Sequence, residues 1–110
     1  MAYDEDLASR IREILTEGGD VEERKMFGGI AFMVGGHMCV GVIGDELMVR
    51  VGPDAHEKVI EKPHARPMDF TGRPMKGYVY VAQPGVGTEA KLRKWIQLAR
   101  DFVETLPPKT

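Results

Sequence analysis

The sequence has few of the residues that many enzyme and secreted-protein classes require. Among its 110 residues there is one cysteine, Cys39, and one serine, Ser9. A single cysteine excludes an internal disulfide framework and is typical of a reducing compartment. No apolar run approaches the length that spans a bilayer, and residues 1–6 do not resemble a secretory signal. We therefore expect a cytoplasmic protein with no membrane segment.

Side chains that could hold a metal or perform catalysis are also sparse. His37 and Cys39 share a strand face by alternation, but two ligands do not make a zinc site. His56 and His64 are not followed by an acid or cysteine at a familiar ligand spacing. Nucleophilic catalysis needs a nucleophile beside a base and an orienting group, and no such set can be identified. The sequence predicts no catalytic residue, no cofactor and no metal.

One glycine-containing stretch precedes the last predicted helix and allows two interpretations. Residues 85–88 read Gly-Val-Gly-Thr, and a helix N-terminus can bind an anion through its free N–H groups. The stretch has no lysine after its second glycine, so it does not match a phosphate-binding loop. A turn followed by an N-capping threonine is the interpretation that we favour.

The charges are unevenly distributed although the formal net charge is only -2. Residues 1–23 are acidic, and residues 62–76 are basic. The basic residues of the second stretch are Lys62, Arg66, Arg73 and Lys76, against Asp69 alone. This distribution indicates either two solvated surfaces or one face that attracts anions. The sequence pI of about 5.9 argues against an autonomous nucleic-acid-binding domain, and basic residues on the last helix are explained as a solvated face.

The central part of the chain, residues 24–51, predicts a three-stranded antiparallel meander. Three short apolar runs are separated by Gly35-Gly36 and by Gly44-Asp45. Such pairs favour tight hairpin turns, because glycine reaches positive φ without a Cβ clash. The first strand is expected to begin near residue 24 and to be interrupted by Gly28-Gly29. That interruption indicates either a bend over a helix or a place where a ligand or partner backbone comes close.

Helices are predicted on both sides of the meander. Apolar residues recur at helical spacing over residues 4–17 and 88–106, and a shorter helix is predicted over residues 53–61. Residues 63–77 contain three prolines and predict a shaped loop with a brief edge strand at 68–70, and residues 77–82 predict a strand. The result is one α+β domain over residues 1–110, in two layers, with the order α-β-β-β-α-β-β-α and a five-stranded, mostly antiparallel sheet.

The first and last helices are expected to cover one face of this sheet. The core that this arrangement predicts consists of Leu7, Ile11, Ile14, Leu92, Trp95 and Phe102. Further apolar side chains fall on the opposite face, namely Met33, Cys39, Ile43 and Met48. They indicate either a second subunit on that face, and hence a homodimer, or scattered surface hydrophobic residues.

Two sequence blocks carry a resemblance to a known family. The first is Arg24-Lys25-Met26-Phe27-Gly28-Gly29, and the second is the Arg-Pro-Met-containing stretch at residues 66–78. Together with Gly41-Val42 and residues 47–50, they resemble the N-terminal domain of TfoX/Sxy, a bacterial regulator of natural competence. The resemblance implies an α+β domain similar to secretion chaperones, with no known catalytic residues. Longer family members carry a second, helical domain and act as coactivators alongside the cyclic-AMP receptor protein.

The resemblance and the charge pattern together predict a surface for a partner or an anion. Its residues are Arg24, Lys25, Gly28, Gly29, Arg66, Arg73 and Lys76. Arginine suits fixed recognition of carboxylate or phosphate groups. The alternative is structural: Arg66 or Arg73 would then pair with Asp69 or with the acids of the first helix.

Two functions follow from this surface. One is a non-catalytic interaction or regulatory module whose partner is a protein, such as a component of the transcription machinery. The other is a small-molecule or anion-binding domain, or an unrecognised enzyme, that uses the basic 63–77 loop.

Overall fold

Three helices, six strands and a short 3-10 helix form the part of the chain that the computed structural model describes, residues 3–19, 21–26, 28–70 and 73–107. Residues 26, 67–70 and 73–76 are described by their backbone alone. The helices are α1 (Glu5–Glu17), α2 (His56–Val59) and α3 (Glu89–Val103), and the 3-10 helix is Gln83–Val86. The strands are β1 (Glu22–Met26), β2 (Gly29–Val34), β3 (His37–Ile43), β4 (Glu46–Arg50), β5 (Ala65–Phe70) and β6 (Arg73–Val81). The predicted α+β class is confirmed.

The strands form one sheet in the order β1-β2-β3-β4-β6-β5, with every neighbouring pair antiparallel. The sheet has six strands, one more than predicted, because residues 22–34 form two strands rather than one interrupted strand. Gly28 has φ +76°, and it turns the chain back so that β1 pairs with β2. The predicted bend is therefore a hairpin turn.

Helix α1 begins and ends where its sequence favours a cap. The Asp4 side chain accepts hydrogen bonds from the backbone N–H groups of Asp6 (3.0 Å) and Leu7 (3.1 Å). Asp4 is thus the N-cap, not a first-turn residue as the sequence suggested. The helix ends at Gly18, whose N–H donates to the carbonyl of Leu15 at 3.0 Å.

Helix α3 places the longest apolar stripe of the chain against the sheet. Thr88 caps it, accepting from the Lys91 N–H at 3.2 Å, and the helix ends at Val103 rather than at 106. Most of the predicted core is confirmed, with these side chains buried in one cluster: Leu7, Ile11, Ile14, Leu92 and Trp95. Phe102 is the exception, since it is only partly buried at the margin of this cluster.

Most of the segment predicted as a loop, residues 63–77, belongs to two paired antiparallel strands, β5 and β6. Strands β5 and β6 extend well beyond the predicted segments 68–70 and 77–82, and only residues 71 and 72 between them lie outside the described part. Pro67 is compatible with β5 because β5 is an edge strand, where a missing N–H need not break a ladder. On sequence alone the prolines favour a loop, because the sequence does not reveal which strand is at the edge.

Helix α2 is shorter than the predicted 53–61. Residues 53–55 form turns, and Ala55 at the N-cap position provides no side-chain hydrogen bond to the first helical N–H groups. Without a capping side chain the free N–H groups at the start of α2 are not stabilised, and so short a helix has little tendency to grow longer.

A β-bulge changes which side chains of β3 reach the core. Phe32 is paired with Val40 and Met33 with Met38, so Cys39 is the extra residue. Its side chain is fully buried in the helix-covered cluster, and this burial raises the pKa of the thiol to about 12. The prediction that Cys39 lies on the opposite face is therefore wrong, because simple alternation does not hold across a bulge.

The helices of the described part are all too short or too polar to cross a membrane.

Candidate functional site

One row of directly paired residues crosses the whole sheet on the face opposite the helices. Each residue of the row is the cross-strand partner of the next, so all six residues lie on the same face of the sheet. From β1 to β5 the row reads Arg24, Ala31, Gly41, Met48, Tyr80 and Arg66. Five interstrand spacings separate its ends, about 24 Å in total. The row is therefore apolar in the middle and ends in an arginine at each sheet edge.

The middle of the row is packed tightly, although the described side chains of the buried cluster there all come from strands. Met48 is 1% exposed and Tyr80 is 6% exposed. A Cβ on Gly41 would lie 2.9 Å from the Met48 methyl carbon and 2.7 Å from the carbonyl oxygen of Ile30. The Met48 side chain therefore lies over Gly41, and the approach of the Ile30 carbonyl oxygen disfavours any larger residue at position 41.

Three partly buried side chains surround this centre and complete an apolar patch. We call it the open-face patch, and it consists of Met38, Ile43, Met48, Tyr78 and Tyr80. Helices α1 and α3 pack in the other cluster, across the sheet. A sheet face without a helix is usually more polar than this one.

Arg66 is fixed beside the open-face patch by two kinds of contact. Its Nε donates to the Glu46 carboxylate at 3.2 Å, and its Nη2 donates to the second oxygen of the same carboxylate. Its guanidinium carbon lies 4.5 Å from the centroid of the Tyr80 ring. The Arg66 partner among the described side chains is thus Glu46 of β4 and not an acid of α1. The side chain of Asp69, the other predicted partner, lies outside the described part of the structure.

Arg24 ends the row at the opposite edge in a more solvated environment. Its Nε donates to Glu22 at 2.9 Å, and both side chains are more than half exposed. Lys25 is also exposed, but it is paired with Ile30 and so belongs to the other face of the sheet. The predicted surface is therefore not contiguous: Arg24 and Arg66 share a face at opposite edges, and Lys25 does not share that face.

The two glycines of the predicted surface have structural reasons of their own. Gly28 forms the β1–β2 turn at φ +76°. A Cβ on Gly29 would collide with the carbonyl oxygen of Val42 in β3. The close backbone approach that the sequence indicated at this point is therefore made by a neighbouring strand of the same chain.

Arg73 and Lys76 have their backbone in β6, and their side chains lie outside the described part of the structure.

The residues considered for a metal are occupied in other ways. His37 Nε2–H donates to the carbonyl of Pro107 at 2.6 Å, which ties β3 to the segment that follows α3. Cys39 is buried in the core with a raised pKa. Within residues 3–19, 21–26, 28–70 and 73–107, no three His, Cys, Asp or Glu side chains are grouped so as to hold a metal.

A groove on the helix side of the molecule was not predicted. It has a volume of about 310 Å³ and lies between residues 62–64, the 3-10 helix and α3. Trp95 and Leu98 provide apolar lining, and the charged lining residues are Lys62, Lys91 and Lys94. On the sequence, the α3 lysines indicated only a solvated face, because nothing local shows that residues 62–64 lie opposite them.

These features define an α+β domain with one antiparallel sheet, one helix-covered face and one apolar face whose central row ends in arginines. Residues 13–103 match the family model of the TfoX N-terminal domain. The chain belongs to this family, as the sequence blocks around Gly28 and Arg66 predicted. No curated protein and no solved structure matches the chain.

Proposed function

We propose that this protein is a non-catalytic interaction module that binds a protein partner through the open-face patch. The observation that carries the proposal is the row that leads from Arg24 across Met48 and Tyr80 to Arg66. Tyrosine, methionine and arginine are enriched at protein interfaces, and charged residues are concentrated at the rim. The row has this composition, since it is apolar in the middle and ends in an ion pair at each edge of the sheet.

The geometry also favours a partner that is itself a folded protein or a structured segment. Arg66 is held by Glu46 and the Tyr80 ring, so little side-chain freedom is lost when a partner contacts it. The Arg24–Glu22 pair is solvated and contributes little stability by itself. The paired charges would orient a partner whose apolar side chains contact Met38, Ile43 and Tyr78, the partly buried side chains around the buried Met48 and Tyr80.

The family suggests where such a partner would be found. The competence regulators that contain this domain act on transcription, so the candidate partner is a protein of the transcription machinery in the cytoplasm. Binding would occur without chemistry on the partner, and direct DNA binding is not part of the proposal.

The experiment is site-specific photo-crosslinking from the open-face patch. A benzoylphenylalanine residue replaces Ile43, which is partly buried at the patch margin. The matched probe replaces Leu98, a partly buried residue on α3. We expect one protein of the host to be crosslinked from position 43, to be competed by unlabelled wild-type protein, and not to be crosslinked from position 98.

The captured protein is then purified and its affinity is measured against two matched variants. Met38→Glu introduces a charge into the patch and should abolish binding, whereas Leu98→Glu introduces the same charge elsewhere and should not. Equal binding by both variants would contradict the proposal. Crosslinking of nothing but a second copy of this chain would assign the patch to self-association instead.

A further inference from the structure

The groove between α3 and residues 62–64 combines an apolar interior with positive charge at its rim. Trp95 and Leu98 come from successive turns of α3, and Gly85 of the 3-10 helix lies opposite. A Cβ on Gly85 would approach Val81 Cγ1 to 2.6 Å and His64 Cβ to 3.1 Å, so a larger residue would shift the wall at this point. A volume of about 310 Å³ corresponds to a small ligand.

The charges around this groove are all of one sign. Lys62, Lys91 and Lys94 line it, and no acid does so within the described residues. Lys91 Nζ donates to the carbonyl of Pro84 at 3.5 Å, and none of the three lysines forms an ion pair with an acid in the described part of the chain. These ammonium groups therefore remain available to an anion, although the whole chain is slightly acidic.

The backbone at the groove is held in an uncommon conformation. His64 has φ +69°, and in the described residues it is the one non-glycine residue with positive φ. Ala65 N–H donates to the Lys62 carbonyl at 3.2 Å, which closes a turn in which Pro63 precedes His64. Glycine or asparagine is usual at this position of such a turn. His64 therefore places an imidazole at the groove in a backbone conformation that favours glycine.

We propose that this groove binds a small organic anion with an aromatic or other flat apolar body and one carboxylate or phosphate group. The apolar body would contact Trp95 and Leu98, and the anionic group would lie among the lysine ammonium groups. This site lies on the helix side of the sheet, away from the open-face patch, so it adds a ligand to the proposed interaction module and does not depend on that function.

The test is a titration observed at the indole N–H of Trp95. Trp95 is the one tryptophan of the chain, so its indole signal in a ¹H–¹⁵N spectrum is unique. The probes are naphthalene-2-carboxylate and the neutral naphthalene-2-carboxamide, which differ in charge and little in shape. We expect the carboxylate to shift the signal saturably with a Kd on the order of 1 mM, and the amide to bind at least about fivefold more weakly.

Two charge variants separate this site from general attraction to a cationic surface. Lys91→Gln with Lys94→Gln should weaken carboxylate binding at least about fivefold and leave amide binding unchanged. Lys25→Gln with Lys58→Gln removes the same charge from two residues that do not line the groove and should change neither. Three results would each overturn the proposal: no saturable shift up to about ten times the expected Kd, equal affinity for the two probes, or an unchanged carboxylate affinity in the Lys91/Lys94 variant.

Discussion

The guanidinium group of Arg66 lies over the ring of Tyr80, its direct partner across β5 and β6, with 4.5 Å between the guanidinium carbon and the ring centroid. Because β6 lies between β5 and β4, the Arg66 side chain crosses an entire strand to reach Glu46. The contact makes one half-exposed arginine a fixed part of the open face. Its value for stability and its value for binding can be measured separately.

Replacing Arg66 and Arg73 together by alanine should leave the melting temperature nearly unchanged and abolish partner capture. The Arg66 side chain is 53% exposed and that of Glu46 is 23% exposed, so the ion pair is partly solvated and should stabilise by about 1 kcal/mol. Calorimetry and crosslinking from position 43 measure the two effects. Arg66→Lys is the matched control, since it keeps the charge but not the planar fork. A double variant that melts several degrees lower and still captures the partner would contradict the functional role.

Truncation of α3 should distinguish a core side chain from a marginal one. Leu92 is 0% exposed, so Leu92→Ala should lower the free energy of unfolding by about 2–5 kcal/mol. Phe102 is only partly buried, against Gly52 and the Arg50 guanidinium, and Phe102→Ala should lower it by less than about 3 kcal/mol. Chemical denaturation measures both. A larger effect at Phe102 than at Leu92 would mean that α3 packs in a different rotation.

A homodimer remains a prediction from the two apolar sheet faces. A second copy would pack on the open-face patch, so the dimer would have to dissociate before the proposed partner binds there. Sedimentation at high micromolar concentration should show a dimer for the wild type and a monomer for Ile43→Glu. Leu98→Glu is the control and should sediment as the wild type does. A wild-type monomer under these conditions would end the prediction.

The hairpin turns and the two long helices could be predicted from the local sequence, because each is determined by residues close together in the chain. Glycine at positive φ marks the turns at Gly35-Gly36 and Gly44, and helical spacing marks α1 and α3. The sixth strand, by contrast, depends on Gly28 reversing the chain rather than bending it. Both outcomes use the same residue, so the prediction of one interrupted strand was wrong although the glycine itself was recognised.

The surfaces were harder to predict because they depend on register and on contacts between distant segments. The row that joins Arg24 to Arg66 exists through five successive strand pairings, and neither block predicts the other's position in it. The bulge at Cys39 moves one side chain to the core without a local signal. The groove requires residues 62–64 to lie against α3, about 30 residues later in the sequence. Local patterns contain none of this information.

The contact between α1 and α3 should be sensitive to acid. Arg93 donates to both carboxylate oxygens of Glu17, at 3.0 and 2.9 Å, and these hydrogen bonds hold the pKa of Glu17 below the ordinary 4.5. A carboxyl whose pKa is lowered by folding stabilises the folded state above its ordinary pKa and loses that contribution as the pH falls through the lowered value. The melting-temperature difference between wild type and Arg93→Gln should therefore be largest near neutral pH and should shrink below about pH 4.5.

Glu17→Gln is the control for this prediction, because it removes the titrating group and keeps the side-chain length. Its melting temperature should lie below that of the wild type near neutral pH and approach it in acid. A wild-type advantage over Arg93→Gln that grows as the pH falls would show that the contact does not act through Glu17.

The positive φ of His64 predicts that a glycine variant is more stable than an alanine variant at this position, the reverse of their usual order of stability in a helix. Glycine reaches positive φ freely, whereas a residue with a Cβ is disfavoured there by about 1 kcal/mol or more. His64→Gly should therefore be more stable than His64→Ala by about 1 kcal/mol. At Gln97, an exposed position within α3, helix propensity predicts the opposite, with Gln97→Ala more stable than Gln97→Gly by about 1 kcal/mol. Both pairs are compared by denaturant unfolding, and an alanine advantage at position 64 would mean that the turn does not hold His64 in the left-handed conformation.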